Sequence, residues 1–322
     1  MQFRLRDLLV LTMIVAGAFS LGLPVILAQR EAARRTQCAN NLKQFGLGIH
    51  NYHDTFKNVP PGGTGFHGAP RIGWQVRIIP FADQTSLYEL LNFKIANVPQ
   101  AKISLNIAPR GEPPIIKNYR HTGEIQQPYA MCPTDTRPSD WNDWAQTSYS
   151  GNLGAQKTAS GNANCQVFDV AGVHYQIDRG QVLFGDTDDL DKVSGIFSRQ
   201  LFGPVGFRDI LDGTSNTFAV GEILADCHPN ETGWWSDDGA GNAHASTAVP
   251  LNLMTTCAKS KQDARGLFMP ECFEKRNTNF SWGFRSQHPR GANFAMCDGS
   301  VQFITEDIDF LIYQQYGSRS ED

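Results

Sequence analysis

Leu8 to Ala28 runs for 21 positions without a charged side chain, beginning seven residues into the chain, and no other feature constrains the fold as much. About 20 apolar helical residues cross a hydrocarbon core roughly 30 Å thick. The run reaches that length, whereas the whole chain has a mean hydropathy of -0.33. The expectation is a globular protein on a single membrane anchor. A cleaved signal peptide is the alternative, since Arg4 and Arg6 supply a basic start and Ala16-Gly17-Ala18 an A-x-A cleavage site. The apolar run continues well past Ala18, further than a signal core requires, which favours the anchor.

Beyond Ala28 the apolar residues fall at Cys38, Leu42, Phe45, Ile49, Tyr52 and Phe56, with spacings that alternate between four and three. That is one stripe of an α-helix, with Arg34, Arg35, Asn41, Lys43 and Gln44 off it. Glu31 precedes Arg34 and Arg35 by one helical turn, the supportive orientation for an ion pair. Gly46 and Gly48 each cost about 1 kcal/mol against Ala, tolerable where their face packs on a body. Pro60-Pro61 stops the helix. One helix from about Leu5 to Phe56 is expected, roughly 78 Å long. Its first half, span 8–28, belongs in lipid and its second half on a domain, which divides the chain into 1–57 and 58–322.

A helix that is apolar first and amphipathic beyond resembles the spine of type IV pilins and pseudopilins. In those proteins the processed chain begins with Phe and carries an acidic residue at its fifth position, and Phe3 and Asp7 stand in that relation. The resemblance implies that Asp7 pairs with the N-terminal amine of a neighbouring subunit; pairing with Arg4 or Arg6 at the headgroups is the local alternative. One departure is that Gln2 stands where pilin processing wants Gly, so cleavage before Phe3 is expected to be poor.

The segment RSQHPRGANFAMCDGSVQFI places nine residues between His288 and Asp298-Gly299. This resembles the H-X9-DG signature of a prepilin-like family, domain of unknown function 1559. The phrases REAARRTQCANNLKQFGLGIHNYHDTF, IIPFADQTSLYELL, MCPTDTRPSD, SYSGNLG and DGTSNTFAVGE resemble that family too. The resemblance implies an α+β fold in which a long pilin-like helix packs on a β-rich, mainly antiparallel globular domain, and it carries no activity with it.

The remaining pattern fits many short strands. A helix is expected at 83–93, a loop at 97–114, and strands at 115–120, 147–152, 165–177, 217–224 and 280–285. In the final hairpin Asp298-Gly299 is a type I′ signal, which places Met296 opposite Val301 and Phe294 opposite Phe303 on one core face.

Residues with chemical potential are few. His288 and Asp298 invite reading as an acid–base pair, but the turn accounts for the aspartate, and extended chain would hold the two apart. The segment Asp212-Gly213-Thr214-Ser215-Asn216 reads as a turn or cap. No P-loop, G-x-S-x-G or H-E-x-x-H motif is present, and no cofactor is implied. Asp186, Asp188, Asp189 and Asp191 crowd closely enough for a Ca²⁺ loop, although they lack the EF-hand pattern and a solvated acidic loop explains them.

There are seven cysteines, Cys38, Cys132, Cys165, Cys227, Cys257, Cys272 and Cys297, so at least one stays unpaired within the chain. Outside the cytoplasm, pairing is expected among Cys227, Cys257 and Cys272. Cys38 on the helix stripe and Cys297 beside the turn read as packing. The absence of C-x-x-C disfavours zinc and thioredoxin-type chemistry. A net charge of -4 leaves no basic footprint for nucleic acid.

The expected function is that of a single-pass, pilin-like envelope protein acting in assembly or interaction rather than catalysis, with its domain periplasmic or extracellular. Its partners would be membrane lipid and other pilin-like subunits or a secretion or pilus apparatus. A tethered module binding Ca²⁺ or a glycan is the alternative, and a tethered hydrolase the third.

Overall fold

The computed structural model describes residues 5–62, 73–82, 88, 127–136, 146–156, 167–170, 173–176, 194–197, 205–227, 244–257 and 278–320. Helix α1 (Leu5–Phe56) is 52 residues long with Pro24 inside it, matching the expected bounds. Lys57, at φ 64°, takes the left-handed conformation that ends it, and the prolines follow. Five of the six stripe residues, Cys38, Leu42, Phe45, Ile49 and Tyr52, are buried, whereas Phe56 is 51% exposed because the helix ends there.

Most side chains of the uncharged run lie outside the described residues, as do Gln2, Phe3 and the side chain of Asp7. Among the described residues no helix is long and apolar enough to cross a membrane, so the expected span finds no support there. The described part of the run is exposed nonetheless: Leu23, Val25, Ile26 and Leu27 stand clear of the domain.

The stripe packs on a five-stranded sheet of order β5-β1-β4-β6-β7. Its strands are β1 (Tyr149–Gly154), β4 (Phe218–Glu222), β5 (His244–Ser246), β6 (Gly291–Met296) and β7 (Val301–Thr305). The sheet is mixed, which corrects the expectation of a mainly antiparallel domain. The pairs β1–β4, β4–β6 and β6–β7 are antiparallel, but β5 lies parallel to β1. β5 lies on the far side of β1 from β4 and runs in the direction opposite to β4. That direction is the one β1 already has.

The sheet is covered on both faces. On one, Phe45 meets Trp74 of the short helix α2 (Trp74–Ile78), Tyr129 and Tyr149 at ring separations of 5.5, 5.0 and 5.3 Å. On the other, Phe218, Phe294 and Met296 pack against Tyr313 of α4 (Phe310–Gly317), whose first turn is capped by Asp309. β6 therefore alternates between two cores, with Ala295 towards α1 and Phe294 and Met296 towards α4.

The final hairpin differs from its expected register by one residue. Ala295 lies opposite Val301, Phe294 opposite Gln302 and Asn293 opposite Phe303. The loop is Cys297-Asp298-Gly299, closed by Gly299 N–H to Met296 O at 2.9 Å and Met296 N–H to Ser300 O at 2.8 Å. Gly299 has φ +82°, the left-handed residue of a three-residue loop with a G1 bulge rather than a type I′ turn. The slip moves Phe294 and Phe303 to opposite faces.

Two further expectations change. The segment 165–177 holds a hairpin, β2 (Val167–Val170) with β3 (Val173–Gln176), in place of one strand. The segment 280–285 enters the short helix α3 (Thr278–Ser281) and not a strand. Its polar end is the fully buried Arg285, which donates to the carbonyls of Leu253, Ser281, Gly283 and Phe280. Burial lowers its pKa to about 9, against a weaker opposing influence of Tyr313. A guanidinium collecting carbonyls holds irregular backbone together where a ladder would otherwise form. The helix expected at 83–93 falls, except for residue 88, outside the described residues, as do 97–114 and the strand at 115–120 entirely.

Candidate functional site

Three side chains of α1 converge on the domain at one place. Glu31, Arg35 and Cys38 lie one helical turn apart and so share a face. That face meets Cys132 and Thr134 of the segment 131–136, Glu222 at the end of β4, and His288 just before β6. Cys38 and Cys132 form a disulfide across a separation of 94 residues. The stripe cysteine is thus a covalent bolt between helix and domain, which corrects its reading as packing alone.

His288 is buried beside this bolt. Its Nδ1 lies 2.5 Å from Glu31 Oε1 and 3.3 Å from Thr134 Oγ1. A carboxylate only accepts, so Nδ1 carries the proton and donates it. On the ring's other side, Nε2 is 3.4 Å from Glu222 Oε1 and 3.5 Å from Cys132 Sγ. Glu222 is held in turn by Asn293, whose backbone N–H donates to Oε2 and whose side-chain amide donates to Oε1, both at 2.9 Å.

Burial on its own lowers the His288 pKa, but hydrogen bonding and charge from Glu222, then from Glu31, outweigh it and the net shift is upward. Arg35 stands over the Phe303 ring, 3.1 Å from its centroid. Desolvation lowers its pKa, partly offset by the charges of Glu222 and Glu31. The Tyr149 hydroxyl donates to Cys38 O at 3.3 Å and accepts from the Asn41 amide at 3.2 Å. Burial and then Glu222 hold its pKa well above the usual value.

His288 and Asp298 are not partners of one another in this arrangement. Asp298 Oδ1 accepts from Ser300 N–H at 2.8 Å inside the turn. Both ends of the segment from His288 to Gly299 instead meet α1. His288 reaches Glu31, whereas beyond the strand the Cys297 carbonyl lies 3.0 Å from His50 Nε2. A Cβ on Gly46 would sit 3.4 Å from Gly299 Cα. β6 therefore runs along α1 in the same direction, fastened at each end, and the spacing between His288 and Asp298-Gly299 is the length of that seam.

The second disulfide, Cys227–Cys257, falls within the group expected to pair, and Cys297 is a buried free thiol. Cys165, Cys272, Asp186, Asp188, Asp189 and Asp191 lie outside the described residues. Sequence reasoning overlooked Glu222 and the role of Glu31. Both stand inside phrases already quoted, VGE and REAARRTQC, and an acidic residue closing an apolar strand pattern was the available signal for Glu222.

No curated protein and no solved structure matches the chain. Residues 28–311 match the family described as Protein of unknown function (DUF1559), a stretch that contains every residue of the junction from Glu31 to His288 and the turn at Asp298-Gly299, and the chain belongs to that family.

Proposed function

We propose that this protein is a membrane-anchored, pilin-like envelope component whose role is assembly or interaction. The observation that carries the reading is the asymmetry of α1. Its second half is bolted to the domain, while Leu23, Val25, Ile26 and Leu27 are 56%, 54%, 48% and 55% exposed. At about 100° per residue these four spread over about 200° of the helix, wider than a single protein face covers. Lipid or a bundle of like helices does, and the 21 uncharged positions of Leu8–Ala28 have the length for a bilayer. The disulfides Cys38–Cys132 and Cys227–Cys257 support a domain displayed outside the cytoplasm. Membrane lipid and other pilin-like subunits are the partners this reading implies, and nothing in the charge invites nucleic acid.

The test is fractionation of the full chain. Retention in membranes after high-salt and carbonate washing is expected, together with solubility of a chain truncated to begin at Gln29. Recovery of the full chain in the washed supernatant would sink the anchor. Site-specific cross-linking from cysteine placed at Leu23 or Ile26 then separates lipid from subunit contact.

A further inference from the structure

We infer that the helix–domain junction is a redox-gated binding site for a zinc-like divalent cation, with Cys38, Cys132, His288 and Glu222 as its four ligands. The inference concerns a buried site and stands whether or not the protein is a membrane-anchored assembly component.

Both sulfurs, one imidazole nitrogen and one carboxylate oxygen lie within 4.8 Å of one another, and all four residues are buried. Three edges of the cluster are close to those of a metal tetrahedron. Cys132 Sγ is 3.5 Å from His288 Nε2 and 3.9 Å from Glu222 Oε1, and Nε2 is 3.4 Å from that oxygen. With Zn–S near 2.3 Å and Zn–N or Zn–O near 2.0 to 2.2 Å, tetrahedral edges of about 3.3 to 3.8 Å are required. The covalently joined sulfurs, 2.07 Å apart, are too close. A disulfide sulfur bears no proton, so the 3.9 Å approach of Glu222 Oε1 to Cys132 Sγ is not a hydrogen bond, and the disulfide alone gives the carboxylate no reason to face it.

The surroundings are those of a supported metal ligand set. Nδ1–H of His288 is given to Glu31 at 2.5 Å, which fixes the tautomer and leaves the Nε2 lone pair for the metal. Asn293 orients Glu222 through two hydrogen bonds. Two thiolates and a carboxylate around a dication leave one net negative charge at the ligands, and the Arg35 guanidinium lies close enough to interact with both glutamates.

The gating step balances as a two-electron reduction. A dithiol reductant delivers two electrons and two protons to the Cys38–Cys132 bond and leaves as its own disulfide, giving two thiols. Metal entry expels both thiol protons to solvent and places the cation where the sulfurs, no longer bonded, move apart to receive it. Oxidised, the junction is covalently bolted; reduced and loaded, it is bolted by coordination.

The experiment uses the full chain in detergent, treated or not with a water-soluble phosphine that reduces disulfides, then dialysed against Co²⁺ or Zn²⁺. One ion per chain is expected only after reduction. Co²⁺ should show thiolate charge-transfer absorption in the near ultraviolet and the intense visible bands of four-coordination. Cys227→Ser/Cys257→Ser should keep the signal, which excludes that pair as ligands. Cys132→Ser and His288→Ala should lose it. Glu31→Gln, which leaves all four ligands, should weaken affinity by roughly 10- to 100-fold. Because His288→Ala risks misfolding, the decisive measurement is on the unaltered chain: no stoichiometric metal after verified reduction overturns the inference. So does a Co²⁺ spectrum that Cys132→Ser leaves unchanged.

Discussion

His288 donates a hydrogen bond across 257 positions of sequence to Glu31, 2.5 Å away, and so joins the segment that leads into β6 to the N-terminal helix. The imidazole is buried, and Glu31 is the partner that leaves its Nδ1 proton satisfied. Removing the acceptor's charge while keeping its shape should be costly. Glu31→Gln is expected to destabilise the oxidised protein by about 1.5 to 3 kcal/mol, the range for hydrogen bonds to charged groups. Urea unfolding near pH 6 measures this, and a change below a few tenths would show that a neutral acceptor, the glutamine carbonyl or the Thr134 hydroxyl, suffices as partner.

The same imidazole, under Glu222 first and Glu31 second, sets a pH dependence. Glu31 on α1, Glu222 on β4, the Cys132 sulfur and the Thr134 hydroxyl face the ring, with Arg35 nearby. The net result is a folded-state pKa above the unfolded value of about 6.5. A raised pKa means the folded state binds the proton more tightly. Its stabilisation is fully present below about pH 6.5 and is lost as pH rises through the folded pKa. The melting temperature of the oxidised protein should therefore fall on the alkaline side. His288→Asn should flatten that fall; an unchanged slope would place the titration elsewhere.

The Cys38–Cys132 disulfide closes a long loop between helix and domain. Cross-links of that span remove much unfolded-state freedom, and loss of a native disulfide typically costs about 2 to 5 kcal/mol. Cys38→Ser/Cys132→Ser should lose that amount in metal-free buffer. The Cys227→Ser/Cys257→Ser variant closes a loop of only 30 residues' separation and should lose less. Chemical unfolding of the two variants side by side tests the ordering.

The course of α1 was legible because its apolar spacing has one interpretation, and Cys38, Leu42, Phe45, Ile49 and Tyr52 went where that spacing put them. The junction was present in fragments. Glu31 and Cys38 sit in one quoted phrase, Cys132 in a second, Tyr149 in a third, Glu222 in a fourth and His288 in the last. Each phrase was visible as a pattern, but their convergence depends on long-range contacts that local periodicity does not encode. That is why Cys38 read as packing and His288 was weighed against Asp298 rather than Glu31. The hairpin register failed for a different reason: Asp-Gly serves both a two-residue loop and the end of a three-residue loop with a bulge. Only the burial of β6 on both faces decides between them.

The seam between α1 and β6 makes the last prediction. Gly46 is the helix position that lets the turn approach, since an added Cβ would lie 3.4 Å from Gly299 Cα and 3.8 Å from its carbonyl oxygen. Those are ordinary contact distances, so Gly46→Ala should be tolerated, and its better helix propensity offsets part of any crowding. Gly46→Leu has no such room and must push the turn off the helix, straining the contact of the Cys297 carbonyl with His50. A loss of about 1 to 3 kcal/mol is expected, the range for overpacking a formed interface. Gly299→Val attacks the other side of the seam. It needs φ +82°, a region that costs a β-branched residue roughly 1 kcal/mol or more. Thermal unfolding of the three variants gives the test: Gly46→Ala close to the unaltered protein, the other two clearly lower. If Gly46→Leu melts with Gly46→Ala, the helix does not lie on the turn as closely as described, and the spacing of His288 from Asp298-Gly299 has some other cause.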